Sequence, residues 1–286
     1  GYHFYNLMAH DPTYNLPGYR LTRPRKIYGI DNCSGLACDE RDVPYTHGDL
    51  MGCKLPEDVT HVIHLAGRTS VRASWVPENI GRFYRDNFLV SERLFDFYKD
   101  KPVKILYATS SSVLEMKSPY AMTKKLVEHI APPNAIGMRF FTVYGPYGRP
   151  DMSILRFIHW IINEEKVKVF GNGEQQRSFT YIKDVVDALR RMTGLENSHT
   201  FNVGSNITVS LNEVIKLIEE FSGKNANIEN LERAYKDPDV VRPNLEKINE
   251  AIGWEPTTKI QEGIEKTVSW YKENEDYLKD LVYVNE

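Results

Sequence analysis

The sequence predicts an α/β fold: a doubly wound parallel sheet with helices on both faces, and a smaller α/β part interleaved with it. Three observations predict it. Short apolar, β-rich runs recur at 26–30, 60–65, 103–108 and 135–141, each the length of a buried strand. Helical patterns over 79–99 and 119–131 alternate with them. Small and hydroxyl-bearing residues gather where those strands end, which is where an open α/β sheet binds its ligands.

Composition sets the outer limits. The chain has 286 residues, 41% hydrophobic and 26% charged, with net charge −3, enough for one large domain or two smaller ones. The near balance of charge argues against a nucleic-acid or membrane-surface role. No apolar run approaches the roughly 20 residues of a membrane span, and no signal peptide is expected. Cys33, Cys38 and Cys53 form no C-x-x-C pair. They read as thiols of a reducing, cytoplasmic compartment, and no metal site is expected.

In chain order, residues 1–11 (GYHFYNLMAHD) read as a helix already under way, with Tyr5, Leu7 and Met8 on its buried face. The strand at 26–30 ends at Asp31. An acid there can accept hydrogen bonds from both ribose hydroxyls of NAD and repel the extra phosphate of NADP. Residues 33–46 read as loop. After the strand THVIHL at 60–65, Ala66 and Gly67 would let the backbone pass close to a cofactor. His61 and His64 read as packing residues. Residues 79–99 read as one long helix with Phe83, Leu89, Leu94 and Phe95 on its apolar face.

The densest signal is VKILYATSSSVLEMKSPYAMTK, residues 103–124. A buried strand runs into Thr109, Ser110, Ser111 and Ser112. Ser118 then reads as a helix N-cap and Pro119 as the first helical position. Tyr120 and Lys124 are four apart and share one helix face. A free phenol has a pKa of about 10, too high for a base at neutral pH. A lysine cation one turn away favours the phenolate. Lowering that pKa by ~3 units takes about 4 kcal/mol, which the positive ring of an oxidised nicotinamide would help to supply. A serine hydroxyl can share the proton. Hydroxyl, phenol and ammonium together suit moving a proton while something else takes a hydride.

Further on, Gly145-Pro146 turns the chain out of the nucleotide half. Residues 153–163 read as a helix with Leu155, Ile158 and Ile161 apolar, 200–203 as a strand, and 211–221 as a helix. Residues 245–252 and 260–274 read as closing helices, with Trp254 and Trp270 packing. Asp184 opens an amphipathic helix as a structural residue. The division expected is 1–145 for the cofactor and 146–286 mainly for the substrate.

Strand, serine run, capped helix and Y-x-x-x-K occur in that order, followed by AIGMRFFTVYGPYGRPDM and VKVFGNGEQQRSFTYIKDVVDAL. Over nearly its whole length the chain resembles the extended short-chain dehydrogenase/reductase superfamily, in its NAD-dependent nucleotide-sugar epimerase/dehydratase branch. The resemblance implies a Rossmann sheet. It implies that Gly1 is the third glycine of G-x-x-G-x-x-G, with a first strand and two glycines before it; the alternative is a chain that lacks the motif. It implies cofactor contacts from Asp31, Asn32, Asp49 and Leu50 (in HGDL), Leu65, Ala66, Gly67, Asn87, Ala108, Phe141 and Val143. Tyr120 would be the base, Ser110 its partner, and Lys124 the holder of the cofactor ribose.

On the substrate side the resemblance implies Arg72, Ser111, Ser112, Thr142 and Arg149 near the sugar. Val169 and Phe170 would sandwich a uracil, with Gln175, Arg177 and Arg242 on ribose and diphosphate. Ser178 stands where relatives carry an aspartate after that arginine. Relatives also carry a longer acidic loop between Val113 and Tyr120. Either this chain has lost it or the sequence joins two segments across it.

GRPDM is most like UDP-glucuronate 4-epimerases. The implied activity is NAD-dependent 4-epimerisation of a UDP-sugar, UDP-glucuronate to UDP-galacturonate in the first instance, by a homodimer paired through helices 79–99 and 119–131. Alternatives are a UDP-glucose or UDP-N-acetylglucosamine 4-epimerase, or a nucleotide-sugar 4,6-dehydratase or decarboxylase. Dehydratases place an aspartate and a glutamate where Ser111 and Ser112 stand. A non-catalytic NAD-binding scaffold is disfavoured by the intact Ser110, Tyr120 and Lys124.

Overall fold

The structure, a computed structural model, describes residues 28–31, 45–196, 198–232 and 240–278. The helix expected over 1–11, Gly1, Asn32, Cys33 and Cys38 lie outside the described residues. The chain divides into two compact units. The first runs to Phe140 and takes in 186–203 and 247–254; the second holds 141–185, 204–246 and 255–286. The first unit thus ends at Phe140 rather than Gly145, and the chain crosses between the units more than once.

In the first unit, β1 (Gly29–Asp31) pairs in parallel with β2 (Tyr45–His47). Residues 45–46, expected as loop, are strand because β1 supplies the ladder partner. Then come β3 (His61–His64), α1 (Pro77–Phe83), α2 (Val90–Tyr98), β4 (Lys104–Ser110), α3 (Pro119–Ile130) and β5 (Ala135–Phe140). The strand Thr200–Val203, β5, β4 and β3 form one parallel sheet in that order. Such a sheet is covered on both faces, and the central strand shows it: Ile105, Leu106 and Tyr107 are each at most 1% exposed. Phe95 of α2 meets Tyr107 edge-on, centroids 5.3 Å apart. Gly137 makes room for that tyrosine, since a Cβ there would lie 2.7 Å from Tyr107 Oη. The helix expected as continuous over 79–99 is interrupted: between α1 and α2, Tyr84–Leu89 form a wider π turn.

In the second unit, β6 (Thr142–Tyr144) pairs in parallel with Phe179–Tyr181. Thr142 and its neighbours are therefore a strand of their own, not the loose end of β5. The helix α4 (Ser153–Ile162) buries Leu155, Ile158 and Ile161 in the core, as its spacing predicts. Two further strands follow, β7 (Lys166–Phe170) and β8 (Gln176–Arg177). The helix Leu211–Ser222 starts at a capping box between Ser210 and Glu213 and ends at Gly223 in the left-handed region. Asp184 accepts hydrogen bonds from Thr257 N, Thr257 Oγ1 and Thr258 N at 3.1–3.2 Å, a structural role. Trp254 in the first unit and Trp270 in the second are buried. No helix of the described residues is long and apolar enough to cross a membrane.

Candidate active site

Helix α3 begins where its local chemistry predicts. Ser118 Oγ accepts from Ala121 N at 3.1 Å and Pro119 lies in the first turn. From that start, Tyr120, Lys124 and Glu128 recur every four residues along one face. Tyr120 is 9% and Lys124 5% exposed. Lys124 Nζ donates to Ala108 O at 3.2 Å, near the end of β4. Phe83 of α1 packs edge-on against Tyr120, centroids 6.2 Å apart.

Glu128 anchors the helix one turn further on. It accepts from Thr109 Oγ1 at 3.0 Å and from Arg139 Nε and Nη2 at 2.8 and 2.7 Å. Burial would raise this carboxyl, but hydrogen bonds from Arg139, Thr109 and Lys125, with the charge of Arg139, hold it below the usual carboxylate range. Thr109 and Arg139 are ladder partners on β4 and β5, so one carboxylate ties α3 to two adjacent strand ends. Next to Thr109, Ser110 closes β4 and caps the short 3-10 turn Ser111–Leu114. Its Oγ accepts from Ser112 N and donates to Ser112 Oγ, both at 3.2 Å. Ser110 is buried, and Ser111 and Ser112 are half-buried.

Beyond β3 the chain passes through Leu65, Ala66 and Gly67. Gly67 has φ +151°, and a Cβ there would lie 2.7 Å from Asn87 Oδ1 and 3.0 Å from Lys124 Nζ. Only glycine allows so close a turn. Asn87 sits in the π turn, 1% exposed. Its Oδ1 accepts from Arg68 N at 2.8 Å and its Nδ2 donates to Thr123 Oγ1 at 3.0 Å. Thr123 Oγ1 donates in turn to Tyr120 O at 2.8 Å. Burial pushes the Lys124 ammonium down from 10.5 to about 8.

Asp31 closes β1. Asp49 is exposed; its Oδ1 accepts from Met51 N at 2.9 Å, and Arg85 pairs with Oδ2. Those bonds hold its carboxyl below the usual range. Leu50 is half-buried. Arg72 is half-buried and leads into the 3-10 turn Ala73–Trp75. Ser70, just before it, has φ +108°, and its Oγ accepts from Ala73 N at 3.1 Å.

In the second unit, Phe141 is buried against Gly204, where a Cβ would sit 3.0 Å from its ring. Thr142 and Val143 are half-buried and share a small cleft with Gly145, Arg149 and Met152. Arg149 is exposed and donates from Nε to Asp151 Oδ1 at 3.0 Å. Of the expected base-binding pair, Val169 is buried in the core, because β7 alternates and puts Val167 and Val169 inward. That leaves half-buried Phe170 to offer a face. Gln175 Nε2 donates to Phe170 O at 2.8 Å, while its buried Oε1 has no partner among the described residues. Arg177 is half-buried and bonds Gln176 O at 2.8 Å. The ladder sets Val241 beside Arg177, and exposed Arg242 is the residue that follows the strand Val240–Val241. Ser178, between β8 and the strand Phe179–Tyr181, donates to Ser205 O at 2.7 Å and accepts from Ser205 N at 3.0 Å.

Thr123, Glu128 and Arg139 carry no expectation from the sequence, and Phe83 was expected only as a packing residue. Glu128 had a signal: it continues the four-residue spacing of Tyr120 and Lys124. Thr123 bonds Tyr120 O within its own helix, but its other partner, Asn87, and the partner of Arg139, Glu128, lie in other elements.

Residues 26–204 match the model of the NAD dependent epimerase/dehydratase family. A UDP-glucuronate 4-epimerase from Thermodesulfobacterium geofontis is 36% identical over 246 residues, covering 78% of this chain and 76% of that protein. Among solved structures, MoeE5 in complex with UDP-glucose and NAD is 28% identical with a TM-score of 0.79, covering 87% of this chain and 91% of that one. The UDP-glucuronic acid 4-epimerase from Bacillus cereus, in complex with UDP-glucuronic acid and NAD, is 26% identical with a TM-score of 0.75, covering 80% and 81%.

Proposed function

We propose that this chain, which belongs to the NAD dependent epimerase/dehydratase family, is an NAD-using nucleotide-sugar epimerase that inverts C4 of a UDP-sugar, interconverting UDP-glucuronate and UDP-galacturonate. The observation that carries the reading is the α3 face, with buried Tyr120 and Lys124 beside the strand end that presents Ser110. The residues present fit the cofactor. Gly67 makes a cradle that any Cβ would fill, and Lys124 is a desolvated ammonium with one hydrogen bond among the described residues. Lys124, Asn87, Ala66 and Gly67 would hold the nicotinamide side, with Asp31 and Asp49 on the adenosine side. When bound, NAD accepts a hydride from the sugar C4 and returns it.

The chain's own part is proton transfer and positioning. Tyr120 takes the proton of the 4-hydroxyl, and Lys124 favours its phenolate. Ser110 Oγ, which donates to Ser112 Oγ in the structure, can turn its proton to the sugar O4 and so leaves the single proton of the 4-hydroxyl to Tyr120. After the 4-keto sugar has turned, Tyr120 gives the proton back. In the second unit, the unpartnered Gln175 Oε1 suits an N–H or O–H donor of the nucleotide, with Phe170 stacking on the base. Arg177 and Arg242 suit the diphosphate.

The carboxylate preference rests, in the first unit, on the hydroxyls of Ser111 and Ser112 with Arg72 as a charge and, taken separately in the second, on Thr142 and Arg149. Hydroxyls and guanidinium groups bond an ionised acceptor more strongly than a bare hydroxymethyl. The names of the relatives support the same choice. The test compares kcat/KM for the two substrates. UDP-glucuronate should exceed UDP-glucose by at least roughly tenfold, about one charge-assisted hydrogen bond. Equal values would leave only the broader epimerase reading, and a UDP-pentose as main product would replace it with the decarboxylase alternative.

The reading includes a cytoplasmic homodimer; the unpaired thiol of Cys53 suits a reducing compartment. Ile80 and Tyr84, and likewise Met122 and Leu126 on α3, are exposed apolar residues at four-residue spacing. Elements α1 and α3 pack together, so these side chains can form one face for a second copy. Light scattering at micromolar concentration should give a dimer and Met122→Glu a monomer; a monomeric wild type would refute the pairing.

A further inference from the structure

We infer that His64 is a positioning residue for the cofactor side of the site, acting through Ser91 to fix the π turn that carries Asn87. His64 ends β3 and is 4% exposed; its Nε2 lies 2.9 Å from Ser91 Oγ. Ser91, 2% exposed on α2, donates its hydroxyl proton to Asn87 O at 2.6 Å. A hydroxyl has one proton. Ser91 Oγ must therefore accept from His64, which sets the imidazole as the Nε2–H tautomer. Burial, and then the nearby Lys124 ammonium, push His64 down to about 3, so it stays neutral.

The rest of the chain of bonds follows from Asn87. Its carbonyl is held through Ser91 by the sheet. Its side chain is held by Arg68 N on one side and Thr123 on the other, and Thr123 bonds Tyr120 O. One line of hydrogen bonds thus runs from β3, through the widened turn, to the helix that bears the base. A π turn inside a helix offers fewer regular backbone bonds, so a cross-strut at that point has most to hold. Without it, Asn87 Oδ1 can swing off Arg68 N and the cradle at Gly67 loosens.

The inference rests on the reading of Asn87 and Lys124 as neighbours of NAD. The test is calorimetric titration of NAD into the cofactor-stripped full-length protein, with melting temperature and the KM for UDP-glucuronate measured alongside. Ser91→Ala should weaken NAD roughly five- to tenfold, the worth of about one hydrogen bond, and leave the sugar KM within about twofold. Ser91→Thr keeps the hydroxyl and should restore NAD affinity. His64→Phe should behave as Ser91→Ala does, and the double variant should be no worse than the His64 variant alone, because both cut one chain. If His64→Phe does not fold, Ser91→Ala decides. NAD affinity within about twofold of wild type in Ser91→Ala overturns the inference, as does a loss that Ser91→Thr fails to restore. Asn87→Ala separates the two readings. If it leaves NAD binding intact, the assignment of the cofactor site itself is wrong. If it weakens NAD while Ser91→Ala does not, only the role of His64 falls.

Discussion

Around helix α3, Asn87, Thr123 and Lys124 are all buried and all bonded to protein. In the second unit, Arg149 and Arg242 are exposed and Arg177 is half-buried. The first group is fixed by bonds within the protein. The second presents long cations nearer the surface, with Arg149 bonded to Asp151 and Arg177 to Gln176 O. Groups that move a proton must stand in place when charge develops, because reorganising them then would add to the barrier. Groups that catch a diphosphate can settle as it binds. The prebuilt region carries a cost: a lysine lowered from 10.5 to about 8 gives up about 3 kcal/mol of folding stability at neutral pH, at about 1.36 per unit.

Four changes would break or sharpen that contrast. The largest effect is expected from Tyr120→Phe, which should cut kcat by on the order of 10² to 10⁴ and leave UDP-sugar binding nearly intact. Turnover within about threefold of wild type would mean that Tyr120 is not the base. Next is Lys124→Met. Between pH 8 and 10.5 the unfolded lysine holds a proton that the folded one has lost, so the contribution of Lys124 to stability rises with pH across that window. Tyr98, Tyr107, Tyr144 and Tyr181, raised by burial, act the other way near pH 10, so the readout is wild type minus variant. In urea melts of the cofactor-free protein that difference should rise by about 3 kcal/mol from pH 8 to 10.5. A difference that does not change with pH would put Lys124 in water.

Arg177→Ala should raise the KM for the UDP-sugar roughly tenfold with kcat nearly unchanged, the pattern of lost uniform binding. A fall in kcat with KM constant would move Arg177 to the chemical step. The smallest effect should come from Val169→Ala. A buried valine truncated in a core costs about 1–3 kcal/mol, and the sugar KM should stay within about twofold. A large rise in KM without loss of stability would return Val169 to the nucleotide.

Much of α3 was legible because its signals are local. A serine before a proline sets the start, and four-residue spacing sets the face. The π turn was not legible. Residues 79–99 carry an apolar pattern that suits an unbroken helix, and the turn depends on bonds from Asn87 to Arg68 and Thr123. Val169 and Phe170 were read as a pair, yet in a strand neighbours face opposite ways, and burial of Val167 decided which faced in.

The sequence by itself determined the parallel sheet, the capped helix and the family with its Ser110, Tyr120 and Lys124, because caps, periodicity and contiguous motifs are written within a few residues. Only the tertiary structure decided that Thr142 starts a strand, since its ladder partner is Phe179. It alone showed Glu128 bound to Thr109 and Arg139, and His64 joined to Ser91. Those bonds link residues far apart in the chain, and their strength comes from burial, which no local pattern states.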